Sequence, residues 1–147
     1  MTSAPDLATA SLVDIASALR SGSQTAIGIA EWAIDNHDQR GEALHAYKTW
    51  MPDKVRGEAA AADATFAAGI DLGPLQGIPV SIKDLVGVAG YPIFAGCPRE
   101  LPESWAVDGP IVGAIRQQLG VISGKTHTVQ FAFGGMGAYR HWVPPRN

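Results

Sequence analysis

The chain has 147 residues, of which 46% are hydrophobic and 17% charged, with a formal net charge of −3. That length suits one core and is enough to bury it without disulfides or metal, and the composition excludes a disordered chain. The mild acidity argues against a broad phosphate-binding surface, so no nucleic-acid contact is expected, and a single cysteine excludes a disulfide framework.

Met1 to Leu12 lacks a basic cluster followed by an apolar stretch and includes Asp6, so it does not read as a secretory signal. Ser11 caps a first helix over about 12–20; Asp14 completes a capping box and Gly22 supplies a left-handed stop. Leu12, Ile15, Ala16 and Leu19 form its apolar stripe. Ser23 is expected to cap a second helix that runs to about Arg40, with Ile27, Ala30 and Ile34 at helical spacing and Gly41 as its stop. Leu44 to Trp50 reads as a strand or an irregular link. A third helix starts near Pro52, whose missing amide hydrogen costs nothing in a first turn, and ends at Gly69.

Composition changes near Gly69: residues 1–68 hold four of the 17 glycines and two of the ten prolines. Beyond it Ile78, Val80 and Ile82 alternate with Pro79, Ser81 and Lys83, the period of an extended segment. Leu85 to Pro98, the longest uncharged run, is broken by glycine and proline and is too short to span a bilayer, so no membrane association is expected. Within it Cys97 reads as a buried small hydrophobe, and a reducing, cytoplasmic setting fits a lone thiol. Asp108 is placed as the cap and Pro110 as the start of a helix bearing Ile111, Ile115 and Leu119. Gly120 ends it and Val121-Ile122-Ser123 follows as a strand, which makes a β-α-β unit with parallel strands. Phe131-Ala132-Phe133 is a third candidate strand, and the sheet looks unfinished.

Gly124-Lys125-Thr126 has the end of a phosphate-binding loop, but Leu119 stands where its first glycine belongs. Lys125 is read there as a loop-ordering residue, and His127 likewise as a hydrogen-bonding residue of the loop. The four histidines show no metal-ligand spacing, so no metal or cofactor is expected. Gly134-Gly135-Met136-Gly137 reads as a turn or as backbone approached closely by a ligand. Lys83 ends a buried strand with no intervening turn. It either snorkels to solvent or is a desolvated amine able to accept a proton. Asp84 beside it would favour the charged form if close; alternation puts it on the opposite face, where it orders the turn.

The segment from Gly73 to Gly90, GPLQGIPVSIKDLVGVAG, resembles the lysine-bearing segment of the amidase signature family. Val121 to Gly134, VISGKTHTVQFAFG, is similar to that family's following strand and loop, and the resemblance extends over nearly the whole chain. It implies an α/β fold: a helical N-terminal region over 1–70, then the first β-α-β part of an incomplete amidase-signature mixed sheet over 71–147. It also implies hydrolysis of a carboxamide C–N bond by a Ser, cis-Ser and Lys triad, with Lys83 as the catalytic lysine. Ala132, Phe133 and Gly134 are implied as the lining of the acyl pocket, with Phe133 either forming its wall or packing into the core. The family's two serines lie in a Gly/Ser-rich segment just beyond the Pro-Arg-Asn loop, and the residues in hand stop at Asn147. Ser81 and Ser123 do not match those positions. Two functions follow as expectations. One is the N-terminal part of an amidase, or of the similar A subunit of a glutamyl-tRNA amidotransferase, acting on a small-molecule amide and inactive alone. The other is a non-catalytic chain that self-associates or binds a complementing fragment through its exposed sheet edge.

Overall fold

A computed structural model gives the fold and describes residues 4–135 and 140–146. Met136 to Tyr139, which include the second half of the 134–137 turn singled out above, lie outside the described residues. Helix α1 spans Leu12–Ser21 and carries the expected capping box: the Ser11 side chain accepts the Asp14 N–H while the Asp14 carboxylate accepts the Ser11 N–H. Gly22 closes it in the left-handed region at φ 71°.

Helix α2 spans Ala26–Asn36, and its cap is Thr25, not Ser23. The Thr25 hydroxyl accepts the Gly28 N–H at 3.0 Å, and the Asp63 carboxylate takes the Ala26 and Ile27 N–H groups at 2.7 and 3.0 Å. Nor does Gly41 stop the helix. The chain passes through a π-helical turn, His37–Gly41, and a last helical turn, Glu42–Leu44, and stops at His45 with φ 51°. A side chain at Gly41 would sit 2.7 Å from the His37 ring, so the glycine lets the wide turn close instead of ending the helix.

Strand β1 is Tyr47–Trp50, and helix α3, Pro52–Ala67, opens on its proline. Val55, Ala59 and Ala62 are fully buried on α3 and pack with Leu19, Ala26, Ile29, Ile34, Ile78 and Val121. Small residues at that spacing let α3 approach α2 closely. Strand β2 is Pro79–Lys83, helix α4 is Pro110–Gln117 and strand β3 is Val121–Thr126.

Helix α4 is capped by Gly109, and Asp108 is engaged elsewhere: its carboxylate accepts the Ala89 N–H at 2.7 Å and pairs with Arg116 at 2.9 Å. Its buried face is Val112 and Ile115, against Ile82, Val88, Tyr91 and Ile122; Ile111 points away and is 71% exposed. The sheet runs β1-β3-β2, with β3 parallel to β2 as the β-α-β plan expects and antiparallel to β1. Thr126 stands in register with Lys83 on one side and Tyr47 on the other. Phe131-Ala132-Phe133 is not a strand. Gln130–Ala132 form a short turn in which Phe131 and Ala132 take φ 48° and 58° and the Phe131 N–H donates to the Ala95 carbonyl. The result is a mixed α/β architecture with two apolar clusters, one joining α1, α2 and α3 to Ile78 and Val121 and the other packing α4 against Ile82 and Ile122.

Candidate functional site at the strand ends

Alternation along β2 sorts three consecutive residues. Ile82 is buried among apolar side chains, Lys83 is exposed, and Asp84 turns back into the interior. The Lys83 side chain makes no hydrogen bond or ion pair among the described residues, although its carbonyl accepts the Val86 N–H at 3.0 Å. Because β2 and β3 are parallel and Lys83 faces Thr126, the loop after β3 leaves from the same end of the sheet as Lys83. Carboxyl ends of parallel strands are where open α/β sheets place ligands.

In that loop Ala132 is half-buried and Gly134 exposed, while Phe133 is 97% exposed. Phe133 therefore contributes nothing to the core. The loop rests on the turn before it: any side chain at Gly96 would strike the Val129–Gln130 backbone at about 2.5 Å. No hydrogen bond joins Lys83 to Ala132, Phe133 or Gly134 among the described residues.

Three groupings were not legible from the residues alone. The Tyr47 hydroxyl lies 3.1 Å from Ser81 Oγ and 3.2 Å from Ser123 Oγ, linking all three strands through hydroxyls. Lys48 Nζ sits 4.1 Å from the Phe94 ring centroid and 3.4 Å from that of Trp142, whose indole N–H donates to the Gly96 carbonyl. The third corrects the reading of Lys125 as a loop residue. Gly124 is a strand residue, β3 continues to Thr126, and Lys125 is fully buried with its Nζ 3.0 Å from Asp84 Oδ1. The Asp84 carboxylate also accepts the Phe94 N–H at 3.2 Å.

Burial holds the His127 imidazole below the ordinary histidine value and the Lys48 cation adds to this, while Asp84 opposes it. Lys48 is itself lowered by burial, again against Asp84. The Tyr91 hydroxyl, donating to the Ile122 carbonyl at 2.9 Å, is pushed up to about 12 by burial. Cys97 is buried, and no group of three or more potential metal ligands occurs among the described residues. No described helix is long and apolar enough to cross a membrane.

Comparison with known proteins supplies the context for this strand end. Residues 29–147 match the amidase family profile. The chain is 48% identical over 137 residues to the 2-amino-5-chloromuconic acid deaminase of Comamonas testosteroni, covering 93% of this chain and 30% of that protein. It is 31% identical over 144 residues to the glutamyl-tRNA(Gln) amidotransferase A subunit of Salinispora arenicola, covering 97% of this chain and 29% of that one. A crystal structure of an amidase superposes with a TM-score of 0.83 at 27% identity, over 94% of this chain and 31% of the other. The chain spans about 30% of the length of these curated relatives.

Proposed function

The chain belongs to the amidase family, and we propose that it supplies the lysine of a Ser-cisSer-Lys hydrolase, with Lys83 as the base. In this reading neutral Lys83 takes a proton through a bridging serine, the nucleophilic serine attacks a carboxamide carbonyl, and ammonia leaves from the tetrahedral intermediate. Water then resolves the acyl-enzyme. The chemistry requires no metal or cofactor. In this reading both serines lie outside these 147 residues, and the 147 residues alone are expected to show no amide hydrolysis.

The observation that carries this reading is the placement of Lys83. It is the last residue of β2, exposed, at the end of the sheet from which the loop bearing Ala132, Phe133 and Gly134 departs. Ser81 and Ser123 are poor substitutes for the family's serines: both lie within hydrogen-bond distance of the Tyr47 hydroxyl, and Ser123 is buried. Ala132, Phe133 and Gly134 line the acyl side of the pocket, and a reducing cytoplasm is the setting.

The 48% identical relative is a 2-amino-5-chloromuconic acid deaminase, which favours a second reading: hydrolytic release of ammonia from the enamine C–N bond of a small aminated diacid, with water adding at the enamine carbon as ammonia leaves and no acyl-enzyme formed. Release of ammonia from primary carboxamides and from 2-aminomuconate, measured on the longest natural protein carrying these residues, separates the two. Loss of release in Lys83→Ala supports the base. Near-normal turnover in a folded Lys83→Ala protein removes it and leaves the partner-binding alternative, for which β1 and β2 offer edge strands.

A further inference from the structure

Asp84 and Lys125 are the only fully buried charged side chains among the described residues. An isolated buried charge is costly, and these two satisfy each other: Lys125 Nζ donates to Asp84 Oδ1 at 3.0 Å and lies 3.4 Å from the Pro92 carbonyl. The Asp84 N–H donates to the Thr126 carbonyl at 2.9 Å, and its carboxylate holds the Phe94 N–H. The end of β2, the end of β3 and the 92–94 turn thus converge on one ion pair directly behind Lys83.

We propose that Lys125 is a positioning residue for Lys83: it cancels the carboxylate of the adjacent Asp84 and pins the strand end that carries the base. This rests on the reading of Lys83 as base. A general base must spend time neutral, and an uncompensated carboxylate one residue away favours the ammonium form instead. Lys125 closes that field as a neutral pair inside the protein. The other charged groups that feel Asp84 are Lys48, from β1, and His127, just past β3. Lys48 is already occupied by the Phe94 and Trp142 rings, which leaves the direct contact to Lys125.

The test uses three variants of the longest natural protein: Lys125→Met, Asp84→Asn and the double substitution. The readout is trace acetylation of the Lys83 amine by acetic anhydride across pH, mapped by mass spectrometry, with the acid limb of kcat/KM followed in parallel. Lys125→Met leaves the carboxylate alone and moves the onset of Lys83 acetylation about 0.5 pH unit higher; Asp84→Asn leaves the ammonium alone and moves it about 0.5 unit lower. The double variant returns to the wild-type profile, and it folds because both buried charges are gone. Asp84→Asn keeps an acceptor for the Phe94 N–H, so its downward shift is required even if Lys125→Met does not fold. Shifts of the same sign in both single variants, or no shift in folded Asp84→Asn, overturn the proposal. Acetylation needs no turnover, so this failure is distinct from that of the base itself, which shows as retained turnover in Lys83→Ala.

Discussion

Asp63 and Ala26 lie 37 residues apart, yet the Asp63 carboxylate accepts the Ala26 N–H at 2.7 Å and so caps α2 from the neighbouring helix α3. Helix starts leave their first N–H groups without intrahelical partners, and here a tertiary contact meets two of them. Asp63→Ala is expected to lower the unfolding free energy by about 1–2 kcal/mol, with a smaller loss in Asp63→Asn. Denaturant titration measures this. A larger loss from Thr25→Ala would show that the local cap, and not the long-range one, secures α2.

The Lys83 side chain is exposed and has no described partner, so Lys83→Ala should change stability by less than about 0.5 kcal/mol. Turnover by the complete enzyme should fall by about 100-fold or more, the usual contribution of a general base. Circular dichroism and ammonia release on the same preparation give both numbers.

Phe133, at 97% exposure, and Gly134, also exposed, have little to contribute to the core. Phe133→Ala should therefore leave the melting temperature unchanged, Gly134→Val, whose new side chain would press on Val129 at 3.3 Å, should lower it slightly, and both should raise KM for amide substrates. Unaltered kinetics across several amides would take this loop out of the pocket.

Gly124 sits on β3 where a side-chain carbon would lie 2.5 Å from the Thr49 carbonyl oxygen and 2.8 Å from the Tyr47 ring. Gly124→Ala must push β1 away from the centre of the sheet, at a cost of about 2 kcal/mol or more. Faster amide exchange in Tyr47–Trp50 than in Pro79–Lys83 is the signature to look for.

His127 titrates lower in the fold than in an unfolded chain, because burial and then Lys48 disfavour its charged form. Between the folded value and the ordinary value near 6.5 the unfolded chain binds more protons. The stability from neutral His127 is thus complete above about pH 6.5 and is lost as pH falls through the folded value. Melting temperatures recorded from pH 8 down to pH 5 should show this decline. His127→Gln should flatten it, and a slope as steep as wild type in that variant would assign the decline to other groups.

Local chemistry was the legible part of this fold. Ser11, Asp14 and Gly22 bracket α1 with contacts at most four residues long, and the alternation from Ile78 to Lys83 correctly puts Lys83 and Asp84 on opposite faces. What escaped depends on distant partners. Ser23 offers a hydroxyl close by, but the start of α2 is decided by Thr25 together with Asp63. Gly124 and Lys125 carry the residue types of a loop, and only Asp84, 41 residues away, allows a lysine to lie inside a strand. The placement of Lys83 follows from pattern, and its catalytic role from family resemblance. The hydroxyl cluster of Tyr47, Ser81 and Ser123 has no signal in spacing, since it exists only once three strands are side by side.

The order β1-β3-β2 also sets a timetable. In the sheet order of the three described strands each outer strand neighbours β3, which is the last of the three to be synthesised. While the chain emerges from the ribosome, α1, α2 and α3 can already bury Leu19, Ile29 and Val55 against one another, but Tyr47–Trp50 and Pro79–Lys83 wait with open backbones until Thr126 has appeared. That interval is the period in which a nascent chain is most exposed to strand-to-strand association with its neighbours on a polysome, and the most useful moment for a chaperone to hold it.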